Sequence, residues 1–401
     1  MELTEQSIFN FNFINKNYKQ YLNYSFRKET KNILKNLYKI IQQSYNKYNN
    51  IFSNEYLPIT QESYSIQNIT YPKDFRESDF PLEAITYIKN KITKQKRYSF
   101  VIKGRKINVY IGYEIDSNID FHLTIEKILM WLHILSQYSQ HKCSQELSIY
   151  LYMTSLKKHL PNKGEIIDWI NVNTAFTRTC RPKSEIVIYR KEEWFKVFIH
   201  ETFHCFGLDF SHMDNTIYKV QNHMQSIFNV NVEILLFESY TEFWAELLNE
   251  MFFIYIDNPR VRRNYTQYCI ILEQIINYQR LHCVLVMNKI LRFNETDYNE
   301  LISRNINNNY KEKTNVFAYY VIKTILFIHF NEMISFCNIN NNNNNNNILQ
   351  FKHTSENVEA FCVFIKQTYN SKMATQLISN LKEHYKNNML QMDLIDLKFE
   401  I

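Results

Sequence analysis

Glycine and proline are scarce in this chain, four and six among 401 residues. Set beside the abundant asparagine, lysine, isoleucine, tyrosine and phenylalanine, that scarcity reads as the residue usage of an A/T-rich genome. Seven cysteines stand at positions 143, 180, 205, 269, 283, 337 and 362 with no C-x-x-C spacing. This excludes a zinc-finger framework and reads as free thiols in a reducing compartment. The opening residues, MELTEQSIFNFNF, lack a basic segment followed by a continuous apolar one, so no secretory signal is expected and a cytoplasmic location is. The most apolar long stretch, residues 316–337, is interrupted by Lys323, His329, Asn331 and Glu332; it predicts a buried amphipathic helix rather than a membrane span. The formal charge of +6 is spread along the chain, with one basic run at residues 89–97 (KNKITKQKR). That run reads as a solvated helix end or loop, and no nucleic-acid partner is expected. No internal repeat is evident.

Against these absences stands one motif. Residues 193–208 read EWFKVFIHETFHCFGL, in which His200, Glu201 and His204 form H-E-x-x-H. Residues four apart lie one turn above each other on a helix, so the two imidazoles can converge on one metal ion while Glu201 projects beside them. Such a set offers Zn²⁺ two nitrogen ligands and a carboxylate able to take a proton from a zinc-activated water. Trp194, Phe195, Val197, Phe198, Ile199, Phe203 and Phe206 surround the motif, so the helix is apolar nearly all round and should run through a core. Two histidines and a glutamate buried there without partners would cost several kcal/mol, on the order of the penalty for unpaired polar groups; metal coordination removes it. Gly207 follows the run and suits the left-handed position that ends a helix.

Upstream, residues 100–103 (FVIK) and 107–113 (INVYIGY) predict a hairpin turning at Gly104-Arg105, residues 124–138 a helix, 147–153 (LSIYLYM) a strand, and 185–190 (EIVIYR) a further strand leading into the motif helix. This order resembles the upper subdomain of the zincin metallopeptidases over roughly residues 98–250 of the chain. The resemblance implies an α+β, zincin-like catalytic domain with a twisted mixed sheet, a backing helix and an active-site helix. It also implies Zn²⁺ as cofactor and a peptide or protein as substrate, with residues 185–190 as the edge strand that binds an extended peptide. The division expected is a partly helical N-terminal extension at 1–80 with one amphipathic helix at 28–48, the catalytic domain at 81–258, and a largely helical C-terminal part at 259–401. The latter carries an asparagine-rich flexible insertion at 338–348 between helices at 262–293, 316–336, 357–369 and 372–387.

A third metal ligand is required. In the metzincin pattern it would fall at position 210, which is Phe210 and cannot bind metal; Asp209 and His212 lie close by as substitutes. Residues 238–246 (ESYTEFWAE) place Glu238, Glu242 and Glu246 at i, i+4 and i+8 on one helical face, where they repel one another unless a cation sits among them. The segment 241–247 (TEFWAEL) resembles the third-ligand helix of toxin-type gluzincins, which reads E-F-F-A-E. That resemblance implies Glu242 as ligand and Glu246 as a carboxylate orienting an imidazole through its other ring nitrogen. Glu238, like Glu250, reads otherwise as the solvated edge of the helix. In overall look the chain is similar to uncharacterised metallopeptidases of large DNA viruses, which implies host cytoplasm or virion as its location. The alternative expectation is a catalytically inactive zincin-fold protein acting as a protein-binding or structural factor.

Overall fold

The computed structural model describes residues 2–398 apart from 54–58, 66–67, 74, 77–79, 304–308, 342–346 and 383. It is a mixed α/β protein. Six strands, β1 Thr60–Ser65, β2 Lys94–Ile102, β3 Arg105–Tyr113, β4 Glu146–Tyr152, β5 Ala175–Thr177 and β6 Lys183–Ile188, form one open sheet in the order β1-β2-β3-β4-β6-β5. The first three strands are antiparallel, β3, β4 and β6 run parallel, and β5 turns back against β6. The β2–β3 hairpin turns where expected, because Lys103 and Gly104 both adopt positive φ, 46° and 80°, the combination that matches the twist of the flanking strands.

The first helices are α1 Glu5–Tyr18, α2 Lys28–Tyr48, α3 Leu82–Lys91, α4 Phe121–Leu135 and α5 Trp169–Val172. They are followed by α6 Trp194–Cys205, α7 Asp214–Phe228, α8 Leu236–Asp257, α9 Tyr265–Phe293 and α10 Tyr298–Leu301. The last are α11 Lys323–Ile328, α12 Phe330–Asn340, α13 Ser355–Thr368 and α14 Lys372–Asn380. Strand alternation decides which helix covers which sheet face. Tyr110, Tyr150 and Val187 pack with Phe80 and Ile88 on the α3 side. Val109, Ile111, Ile149 and Ile186 join the large core that contains α4, α6, α8, α9 and the apolar faces of α1 and α2.

Four expectations need correction. Residues 185–190 are not an edge: β6 is covered on its outer side by β5, three residues long and too short for a periodicity signal. The helix expected at 316–336 is broken into a π-helical segment Phe317–Ile322, α11 and α12, with a 94° bend between the last two. The helix expected at 372–387 ends with α14 at Asn380. Cys143 and Cys180 are disulfide-bonded, leaving five buried free cysteines, so the thiols are not all free. The pair is 37 residues apart in sequence, and only the approach of the loops after α4 and before β6 brings it together.

Among the described residues no single helix is long and apolar enough to cross a membrane; the bent α11–α12 region satisfies length and composition only as a pair. Of the asparagine-rich stretch, residues 342–346 lie outside the described residues. Asn341 is buried and its amide donates to Tyr240 Oη and to the Ile348 carbonyl. A feature with no sequence signal is the C-terminal run 390–396, buried throughout. Its Met392 and Asp393 N–H groups donate to Glu193, its Leu394 N–H to Gln279, and its Leu390 and Ile395 carbonyls accept from Tyr320 and Asn249.

Candidate metal centre

Helix α6 is buried along its whole length, and its start is set from outside. Glu193 occupies the N-cap at φ 54° without capping through its side chain, and its N–H donates to Asp396 Oδ1 at 2.9 Å. The C-terminal end closes on Gly207, whose φ of 67° is left-handed. A Cβ there would lie 3.4 Å from both Cys143 Sγ and Cys180 Cβ, so the disulfide packs against this turn. Cys180 N–H donates to the carbonyl of His204 itself.

Between these ends His200 and His204 stand one turn apart, with Nε2 atoms 3.1 Å from each other. Glu238 Oε2, from the first turn of α8, lies 3.2 Å from His200 Nε2 and 3.4 Å from His204 Nε2. His200, His204 and Glu238 are all buried and form the group among the described residues whose ligand atoms could hold a metal ion, all within 4.8 Å of one another. The other ring nitrogens are backed by carboxylates. His204 Nδ1 meets Asp209 Oδ2, and His200 Nδ1 lies 2.8 Å from Glu242 Oε2 in an ion-pair contact rather than a well-directed hydrogen bond. A carboxylate at Nδ1 favours the proton there and leaves the Nε2 lone pair outward. Two lone pairs and a carboxylate oxygen thus face one point, a set that fits a cation.

The electrostatics agree. Burial pushes Glu238 upward, yet His204 and His200 outweigh it and hold the carboxyl well below its ordinary range. Glu242 is held well below the ordinary range, against its burial, by Lys196 first and then His200. Burial pulls His204 down, but Asp209 and Glu238 raise it well above an ordinary imidazole. The pocket draws positive charge onto the histidines, the place a metal ion would take. Glu201 is buried at 8% exposure, and burial raises its carboxyl.

The sequence-expected residues therefore separate. His200 and His204 converge. Glu238, expected as a solvated edge or alternative ligand, is the carboxylate that joins them. Glu242, expected as ligand, lies behind His200 with Oε1 2.6 Å from Lys196 Nζ. Glu246, expected to orient an imidazole, is 2.6 Å from Lys323 Nζ and accepts from Gln279 at 2.7 Å, away from both histidines. Asp209 serves His204 from behind, and His212 packs edge-on to His353 with ring centroids 4.3 Å apart. The shift from Glu242 to Glu238 is one helical turn. Helices α6 and α8 run antiparallel, so the step back from His200 to Lys196 matches the step forward from Glu238 to Glu242. Lys196, one turn before His200, was the available sequence signal that the carboxylate opposite it is already matched by a cation.

Also unforeseen are Tyr319 and Asn315. Tyr319 Oη donates to Glu238 Oε2 at 3.2 Å, and Asn315 Nδ2 to Glu238 Oε1 at 3.3 Å. Beside Glu201 lies a gap of about 40 Å³ bounded by Val172, Thr174, Ala175, Val197 and Met392. A cavity of about 480 Å³ lies at the start of α6 around Trp194 and Lys127 and touches none of His200, Glu201, His204 or Glu238. No protein-family model, curated protein or solved structure matches this chain.

Proposed function

We propose that the protein is a zinc-dependent metallopeptidase of zincin type that hydrolyses peptide bonds in a peptide or protein substrate. The observation that carries this reading is the convergence of His200 Nε2, His204 Nε2 and Glu238 Oε2, with Glu201 buried beside them on the same helix. Two imidazole nitrogens and one carboxylate oxygen are a donor set of catalytic rather than structural zinc, which keeps a position open. Zn²⁺ bound by these residues would supply Lewis acidity and lower the pKa of a water molecule. Glu201, its carboxyl raised by burial, would accept the proton of that water and return it to the leaving amine. The Tyr319 hydroxyl, now spent on Glu238, would donate to the oxyanion. An extended substrate would pair with β5 through main-chain hydrogen bonds. The succession of hairpin, helix α4, β4, β6 and motif helix supports the zincin reading.

Elemental analysis should find one zinc per chain. Glu201→Gln should retain it while turnover of peptide substrates drops roughly a hundredfold or more, since only the proton acceptor is removed. Undiminished cleavage by that variant removes Glu201 from the role. A zinc-loaded protein that cleaves no peptide favours the second reading, a catalytically inactive zincin-fold protein acting as a protein-binding or structural factor. The smallness of the gap beside Glu201, about 40 Å³, speaks for that second reading.

A further inference from the structure

Among the described residues, three lysine–glutamate pairs have both side chains at 2% exposure or less: Lys158 with Glu193, Lys196 with Glu242, and Lys323 with Glu246. The first ties the start of α6 to the loop after β4, and the third ties α8 to α11. Of the three, the second is the one whose glutamate itself meets a metal-centre imidazole. Lys196 Nζ holds Glu242 Oε1 at 2.6 Å, and the other oxygen of the same carboxylate lies 2.8 Å from His200 Nδ1. Lys196 stands one turn before His200 on α6, so its ammonium and the imidazole address the two oxygens of one carboxylate from the same helix face. Met392 Sδ, 3.6 Å from Nζ, closes the other side with the C-terminal run.

We propose that Lys196 is a positioning residue of the metal centre: it fixes and charge-compensates Glu242, so that Glu242 holds the His200 ring with Nε2 turned toward the metal. A buried carboxylate with no counter-charge is strongly disfavoured. Without Lys196, Glu242 would relax away from the position that backs His200, or draw in another cation there. The one lysine of the buried helix α6 has this as its function: it makes the second carboxylate of the α8 row an orienting group, and leaves Glu238 as the ligand. The proposal rests on His200, His204 and Glu238 being a metal centre and does not depend on peptide hydrolysis.

The test is zinc affinity, measured by competition with a chromophoric chelator, alongside circular dichroism and the visible spectrum of the Co²⁺-substituted protein. Lys196→Met should weaken zinc binding by about 10- to 100-fold, the usual cost of disturbing a group that orients a ligand, and should alter the Co²⁺ spectrum. The double variant Lys196→Met with Glu242→Gln should bind zinc within about threefold of Glu242→Gln alone, because the neutral amide leaves no carboxylate charge for Lys196 to compensate. Lys196→Arg should stay close to the parent. An interhelical tie with no role at the metal predicts a lower melting temperature with unchanged zinc affinity and Co²⁺ spectrum in Lys196→Met, and that result overturns the proposal. So does a double variant at least tenfold weaker than Glu242→Gln. Should Lys196→Met not fold, the double variant and Lys196→Arg decide by the same limits. A parent protein that binds no zinc removes the metal centre itself, a separate failure recognised before any variant is made.

Discussion

Helix α8 carries four glutamates at one-turn intervals, and its two ends treat the same residue type in opposite ways. At the first end Glu238 meets two imidazoles and Glu242 meets His200 and Lys196. At the far end Glu246 meets Lys323, and both carboxyl oxygens of Glu250 are buried with no hydrogen-bond partner among the described residues. Burial, then the charges of Asp393 and Glu246, push Glu250 well above the ordinary carboxyl range. The row is continuous in sequence, but its ion-pair partners come from elsewhere in the fold: α6 supplies those of the first two and α11 that of the third, while among the described residues the fourth makes no ion pair. Spacing creates a line of repulsion, and packing decides where it becomes a site.

The sharpest way to break this comparison is to exchange the roles of its first two members. Glu238→Ala should weaken zinc binding on the order of a thousandfold, as one of three ligands to a metal whose binding is worth about 10–16 kcal/mol. Glu242→Ala should cost about 10- to 100-fold. If chelator competition ranks them the other way, the ligand is Glu242, as the sequence resemblance implied.

The far end should respond in stability alone. Glu246→Ala strands the Lys323 ammonium, 1% exposed, and should destabilise the fold by about 3–5 kcal/mol while leaving the zinc affinity of the folded protein within about twofold. Urea denaturation with parallel metal titration checks both, and a large loss of affinity with little loss of stability would erase the distinction between the two ends.

The smallest effect concerns Glu250. Its folded-state pKa lies above its value in the unfolded chain, so between the two the folded state keeps a proton that the unfolded state has released. Stability is therefore lost as pH rises from about 4.5 toward the folded value, at up to about 1.4 kcal/mol per pH unit for one proton. Glu250→Gln should remove that slope between pH 5 and 7 while changing stability little at pH 4. Asp393, raised to about 8 chiefly by burial and then by Glu193, keeps a slope of the same sign in both proteins, so Glu250 is read from a decrease in slope. Parallel slopes in the two would show Glu250 ionised, with a partner after all.

Local patterns were readable in advance where one element sufficed. The helix at 28–48 has those bounds in the structure, because its apolar residues recur at helical spacing over 21 residues. The hairpin turn at Gly104 is likewise where two positive φ values are needed. What escaped were features made by two elements at once. The sheet edge is a three-residue strand, below any periodic signal. Cys143 and Cys180 meet because two loops close on the turn at Gly207. The π-helical segment seats Tyr319 on Glu238, where Asn315 from just before it also donates, and nothing in its apolar run marked it as different from a plain core helix.

The chain by itself determined that His200, Glu201 and His204 share one buried helix and that a row of carboxylates lies on another, since helical period and apolar surroundings are properties of consecutive residues. Which carboxylate joins the two imidazoles was decided only when α6 and α8 packed. All members of the row lie on the same face, and the choice among them is the antiparallel register of the two helices. In that register Lys196 and Lys323 are paired with Glu242 and Glu246, and Glu238 is the member left facing both imidazoles.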